Sequence, residues 1–270
     1  ITDFHIKAIK QFLDKYHLKP SQIDLISLSG HTILHNVKHK ISWQIIDADK
    51  ITHHFKIKAI ANLRILDILN GGQGAPLVAS YHQFLFKNHP KPLAVLNIGG
   101  VSNITFLKED NSYIAFDIGV GNAPLNDLIS DKLQINFDQD GNLAKQGKIN
   151  QELAQNFLNT PFFSQKPPKT IDRNDFNQYL QQINQLSLND ALATICFIIA
   201  KQVQVAINLV NIKPNSIYIH GGGRKNQVII KNLQKILQQI EIKDVDEINI
   251  NGDFIEAQAF AFLARHFLGK

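Results

Sequence analysis

Methionine is absent from the 270 residues, and cysteine and tryptophan occur once each. The lone cysteine, Cys196, excludes a disulfide framework and suits a reducing compartment. Blocks of like charge are also missing. Lys and Arg outnumber Asp and Glu by 28 to 23, a net charge of +5, but the lysines are scattered. That predicts a mildly cationic surface attractive to anionic ligands; a nucleic-acid-binding protein would carry a clustered face. No secretory leader is read at the N-terminus, because ITDFHIKAIKQFLDKY has the pattern of a charged amphipathic helix. The most apolar stretch, 188–210, is interrupted by Asn189, Asp190, Lys201, Gln202, Gln204 and Asn208, so it is expected as a buried core helix and not a membrane span. A cytoplasmic location follows as the expectation. With Ile1 first and no methionine anywhere, the expectation is that either the start is not a natural one or the chain has lost its beginning. The rest is ordinary for a globular chain: 44% hydrophobic and 19% charged residues, with length enough for two domains.

Apolar residues recur at helical spacing over 2–18. Short strands are expected at 23–30, 41–47 and 58–66, with the helical ADKITHHF before the last. A helix is expected over 75–88, Pro76 standing near its start where a missing N–H costs little. HPKP then breaks the chain, which sets a domain boundary at 90/91: 1–90 as a first α/β domain and 91–270 as a second. The second opens with three strands (92–100, 102–110 and 112–121) and a helix at 123–134. The long helix 188–210, strand 216–223, helix 227–239, strand 246–250 and a final helix 253–268 follow. This is an α/β layout with an antiparallel start and parallel crossovers. IDLISLSGHT and SIYIHGGGRK echo one another weakly, and if the halves are duplicates the first lacks its opening three strands.

Four glycine turns each follow an expected strand: Gly71-Gly72-Gln73-Gly74, Gly99-Gly100, Gly119-Val120-Gly121-Asn122 and Gly221-Gly222-Gly223. Such turns gather backbone N–H groups around phosphate oxygens. One alone is weak; four point to a nucleotide or phosphorylated ligand. Neither a P-loop nor GxGxxG is present, so a P-loop NTPase and a dinucleotide-binding domain are unsupported. Two carboxylates, Asp67 and Asp117, stand at expected strand ends beside these turns. Each caps its turn, or one is a general base and the other positions substrate or metal. His31, His35, His53, His54, His82 and His220 show no metal-ligand spacing with cysteine partners and read mostly as surface or core residues.

LRILDILNGGQGAPLV, LNIGGVSNITFL, FDIGVGN, PPKTIDR, IHGGGRKN and IEAQAFAFLA, in this order, resemble the signature segments of the anhydro-N-acetylmuramic acid kinases, from about Ile23 to the C-terminus. The resemblance implies the actin/hexokinase/Hsp70-like (ASKHA) fold, two α/β domains clasping ATP and a sugar in the cleft between them. It implies Asp67 as the general base, with Arg64, Gln73 and Glu256 on the sugar. Gly99, Gly100 and Asn103 would serve the phosphates, together with Asp117, Gly119, Gly121 and Asn122, and Gly221, Gly222 and Gly223 the adenosine. It further implies ATP with Mg²⁺, the metal ligands being unassigned, and peptidoglycan recycling as the setting. No nucleic-acid or membrane partner is expected, and a homodimer is among the assemblies it allows.

The chain also departs from the family pattern. The N-terminal GTSxDG phosphate turn of the family is not found. Ser29 and His31 stand where the family has His and Gln, Asn62 replaces an Asp, and DTGPGN becomes DIGVGN through Ile118 and Val120. Three readings stay open on the sequence: a fragment of an active kinase of this family, a remnant that at most binds nucleotide or sugar, or another sugar or acyl kinase of the same fold.

Overall fold

The computed structural model describes residues 1–268. Along the chain run α1 (Thr2–Lys15), β1 (Ile26–Ser27), β2 (His31–Asn36), β3 (Ile41–Ile45), α2 (Ala48–Phe55), β4 (Ala59–Ile60), α3 (Leu63–Leu69) and α4 (Ala79–Leu85). Then come β5 (Leu93–Ile98), β6 (Val101–Leu107), β7 (Tyr113–Val120), α5 (Ala123–Leu133), α6 (Gln151–Leu158), α7 (Pro161–Ser164), α8 (Asn177–Asn184) and α9 (Leu188–Val210). β8 (Ser216–His220), α10 (Gln227–Ile236), β9 (Glu241–Asp244) and α11 (Ile255–Ala264) complete the order. The backbone gathers into two compact units. One is Ile1–Tyr81 with the segment from Glu256 onward; the other is His82–Ile255. The division therefore falls inside α4 and not at 90/91, and the last helix returns to the first unit.

In the first unit, α1 and α2 close over Leu13, Leu28, Ile51, Phe55 and Ile57. Asp47 starts α2 by accepting the Lys50 amide at 2.8 Å, an N-cap bond that satisfies an otherwise orphaned donor. β1 pairs parallel with β4, and β2 antiparallel with β3, placing Leu34 opposite Trp43. α11 is tied to β1 where Ser27 Oγ donates to the Phe260 carbonyl at 2.9 Å.

Two expected elements of this unit differ, one in type and one in where it begins. The run 58–66 pairs only at Ala59–Ile60 and then coils into α3, so Asp67 stands on a helix and not at a strand end. A short apolar run carries no periodicity that separates strand from helix. Likewise the helix expected from residue 75 begins at Ala79, leaving Pro76 in the preceding turn.

The second unit is built on a five-stranded mixed sheet of order β7-β6-β5-β8-β9. β5, β6 and β7 are antiparallel neighbours, whereas β8 and β9 add in parallel. One face buries Ala94, Leu96, Ile98, Ile104, Phe106, Phe116 and Ile118 against Leu192, Ile195, Ile199 and Val203 of α9 and Ile229 and Leu233 of α10. α9 is long and apolar enough to cross a membrane by length and composition, yet these residues place it in the core. On the opposite face, Phe86 packs tilted against Tyr218, their ring centroids 4.7 Å apart. The last strand is Glu241–Asp244, not 246–250, because Asp244 and Glu247 form a capping box that turns 245–248 into a 3₁₀ segment; that reciprocal capping satisfies orphan donors at the turn.

Candidate active site

The first unit concentrates its candidate residues around α3. Arg64 and Asp67 lie three residues apart and so share a helix face. From there they grip the same residue: Asp67 Oδ2 accepts the Gly74 amide at 2.7 Å, and Arg64 Nη1 donates to the Gly74 carbonyl at 2.9 Å. The NGGQG turn is thereby folded back onto its own helix, with Gln73 part-buried beside the clamp. The close approach demands glycine at 72, where a Cβ would stand 2.1 Å from Asp67 Oδ2. Arg64 also covers the Phe260 ring of α11 at 5.6 Å. Glu256 is exposed in the first turn of α11, one turn before that ring. The structure thus brings Arg64, Asp67 and Gln73 together and sets Glu256 on the helix packed against them.

In the second unit three glycine turns converge on Asn122. Its amide donates to the Gly99 carbonyl at 2.6 Å, and its Nδ2 to the Ile98 carbonyl at 3.2 Å. The Gly121 amide reaches the Gly100 carbonyl at 3.1 Å. The third turn presses into the same place, since a Cβ on Gly223 would lie 2.1 Å from Ile98 Cγ2 and 3.2 Å from Asn122 Oδ1. Gly119 is further back, against buried Gln202, whose Nε2 donates to the Val120 carbonyl at 2.6 Å. Beside the convergence opens a cavity of about 420 Å³ bordered by Asn122, Asn126, Phe137, Asp140, Gly222 and Lys225. Its volume falls within the few hundred Å³ usual for a small-ligand site.

Strand register adds a polar row. Asp117 lies opposite Asn103, Asn103 opposite Asn97, and Asn97 opposite His220. Directly paired residues share a sheet face, so one strip of polar side chains crosses four strands just below the glycine turns. Asn103 Oδ1 is buried and has no hydrogen-bond partner among the described residues. Asp117 is engaged on its outer side, where its Oδ2 accepts the Ile171 amide at 3.0 Å and its amide donates to the Lys169 carbonyl at 3.1 Å. The PPKTIDR segment is thus strapped along the edge of β7. Lys169 is buried under that strap, donating to the Phe162 carbonyl at 2.9 Å with its ammonium 4.1 Å from the Phe162 ring centroid. Burial pushes its pKa down to about 8 against the opposing pull of Asp117.

Two features escaped sequence reasoning. Arg224, just past the glycine triplet, is buried and reaches Asp253 at 2.6 Å, Asp246 at 3.1 Å and Asp244 at 3.3 Å. His82 and His220 meet in the interior at 3.1 Å. Their partners are 20 to 138 residues distant in sequence, beyond any local spacing rule.

The anhydro-N-acetylmuramic acid kinase family model matches residues 1–270. An anhydro-N-acetylmuramic acid kinase of Methylorubrum populi is 35% identical over 266 residues, covering 98% of this chain and 70% of that protein. One of Zymomonas mobilis is 36% identical over 265 residues, covering 98% and 72%. Among solved structures, the activator of the 2-hydroxyisocaproyl-CoA dehydratase from Clostridium difficile with bound ADPNP superposes with a TM-score of 0.52 at 12% identity, over 96% of this chain and 79% of that one. Likeness at that level of identity speaks to the fold alone: an α/β chain of the actin/hexokinase/Hsp70-like class.

Proposed function

Because the chain belongs to the anhydro-N-acetylmuramic acid kinase family, we propose that it converts 1,6-anhydro-N-acetylmuramic acid, ATP and water to N-acetylmuramic acid 6-phosphate and ADP, a step in peptidoglycan recycling. The observation that carries the reading beyond family membership is the clamp on Gly74. It holds one carboxylate, Asp67, at a fixed place beside a glycine turn. In the proposed reaction Asp67 removes a proton from a water molecule that attacks the anomeric carbon. The C1–O6 bond of the anhydro bridge breaks, and O6 bonds to the γ-phosphorus as the bond to ADP breaks. Arg64, Gln73 and Glu256 are the sugar-side residues of this scheme, Arg64 acting partly by holding the turn.

The nucleotide is assigned to the second unit, its base and ribose in the cavity beside Gly222, Asn126 and Phe137. The phosphates lie at Gly99, Gly100, Asn103, Gly121 and Asn122. Gly119 and Asp117 support this region from behind. Phosphoryl transfer is mainly positioning and charge stabilisation, which suits turns locked to one another by backbone bonds. Mg²⁺ fits the residues present, since the unpartnered Asn103 Oδ1 and the neighbouring Asp117 carboxylate are hard oxygen donors of the kind it prefers. When bound, the ion would neutralise charge on the phosphates.

The test is to incubate the protein with ATP, Mg²⁺ and the anhydro-sugar in H₂¹⁸O. The expected product is N-acetylmuramic acid 6-phosphate labelled at the anomeric hydroxyl, in equal amount to ADP. Folded protein that yields neither sugar phosphate nor ADP overturns the proposal.

A further inference from the structure

The buried histidine pair spans two of the strands that carry the proposed nucleotide turns. His82 Nδ1 lies 2.9 Å from Thr105 Oγ1 of β6, and its Nε2 lies 3.1 Å from His220 Nε2 of β8. The rings meet edge-on, with centroids 5.0 Å apart at 74°. Thr105 and His82 are wholly inaccessible and His220 is 1% exposed. β5 runs between β6 and β8, so the side chain of His82 bridges strands about 10 Å apart, two inter-strand spacings. His220 is the last residue of β8 and leads directly into Gly221–Gly223. Thr105 follows Asn103 by two residues on the same sheet face.

Burial pushes both imidazoles far below their ordinary range, His220 to about 3, so at neutral pH each carries a single N–H. Two neutral rings in Nε2···Nε2 contact bond only if one of those nitrogens holds a proton. Either His220 donates to His82, whose Nδ1–H donates to Thr105, or the Thr105 hydroxyl donates to His82, whose Nε2–H donates to His220. Both arrangements are complete, because a hydroxyl serves as donor or acceptor. Losing His82 strands polar atoms at both ends in a dry interior, where an unmade bond is costly.

We propose that His82 is a positioning residue for the nucleotide site: through Thr105 and His220 it fixes the seat of Gly221–Gly223 against the hairpin that carries Gly99, Gly100 and Asn103. The proposal rests on reading those turns as the nucleotide site. Its test compares ADP binding by calorimetry in the wild type, His82→Phe, His82→Gln and Thr105→Val. His82→Phe keeps the bulk and removes both bonds; its Kd for ADP is expected to rise about 10-fold, and KM for ATP with it, while KM for the sugar stays in place. Gln, which retains a donor and an acceptor, is expected to restore affinity to within about 3-fold. Thr105→Val, nearly isosteric, breaks the chain at its far end and covers the case in which His82→Phe does not fold; it too is expected to weaken ADP binding. In the wild type, saturating ADP is expected to shift the His82 and His220 imidazole ¹⁵N resonances.

Folded variants that lose melting temperature yet bind ADP as the wild type does overturn the proposal and leave the nucleotide reading intact. So do ¹⁵N signals indifferent to ADP. A wild type that binds no ADP overturns the nucleotide reading and this proposal together.

Discussion

Asp67 and Gly74 are joined by a 2.7 Å hydrogen bond from the glycine amide to the carboxylate, while Arg64, one turn earlier on the same helix, holds the carbonyl of that glycine. Asp67→Asn separates chemistry from architecture at this point. The amide oxygen of Asn still accepts the Gly74 N–H, so the melting temperature should stay within a few degrees. The base is lost, and kcat should fall by about 10³-fold, within the span usual for general-base removal. Turnover and thermal denaturation measured on one preparation check both halves.

Gly72→Ala acts on the same carboxylate without removing it. A Cβ there would stand 2.1 Å from Asp67 Oδ2, so the side chain must move aside. Displacing a reacting group by about 1 Å commonly costs 10²-fold in rate, and a loss of that order is expected while ADP binding, assigned to other residues, is unaffected.

Among the described residues Arg224 is the buried cation of an acidic cluster, and its three carboxylate partners are one-third to one-half exposed. Arg224→Gln should lower unfolding free energy by about 2 kcal/mol, the scale for losing charge-assisted bonds at a part-exposed site. Arg224→Lys should recover little, because one ammonium cannot reproduce a planar fork. The same contacts set an acid limit. Arg224 and Lys225 hold the Asp253 carboxyl at about 2, below its ordinary 3.8. Its contribution is therefore complete above pH 3.8 and lost as pH falls towards 2. Urea titrations across that window, wild type against Asp253→Asn, read it out.

Lys169 gives a dependence at the other end of the scale. Its folded pKa of about 8 lies below the ordinary 10.5, so between those values the unfolded chain binds the extra proton and stability rises with pH. The rise attributable to this group is at most about 3 kcal/mol. Lys169→Met should flatten the stability profile between pH 8 and 10.5 relative to wild type, as measured by denaturant unfolding at each pH.

Legibility in the sequence followed the range of the interactions. ADKITHHF gave its helix at 48–55 because a capping Asp47 and a strong apolar period are both local, and the 188–210 helix was fixed by the same kind of signal over six turns. The three opening strands of the second unit were readable from their apolar runs and intervening glycines. LRILDIL failed because seven residues, mostly apolar, look alike as strand and helix until a tertiary partner decides. The glycine turns were visible one at a time, but their meeting at Asn122 depends on sheet order. The strap from Asp117 to Lys169 and Ile171 spans more than 50 residues, and no periodicity reports it. His82 and His220, read as unremarkable core or surface histidines, are both core, and only the fold reveals that they touch.

The backbone leaves the first unit within α4 and re-enters it at α11, so His82–Ile255 is in effect a guest sequence spliced into a host. The guest is contiguous and could be excised with a single pair of primers. The host could not, for its two pieces would need a linker to replace the 174 residues between them. A premature stop between residues 255 and 260 would then register first in the host, by removing the Phe260 that Ser27 and Arg64 hold, and would leave the guest's sheet whole.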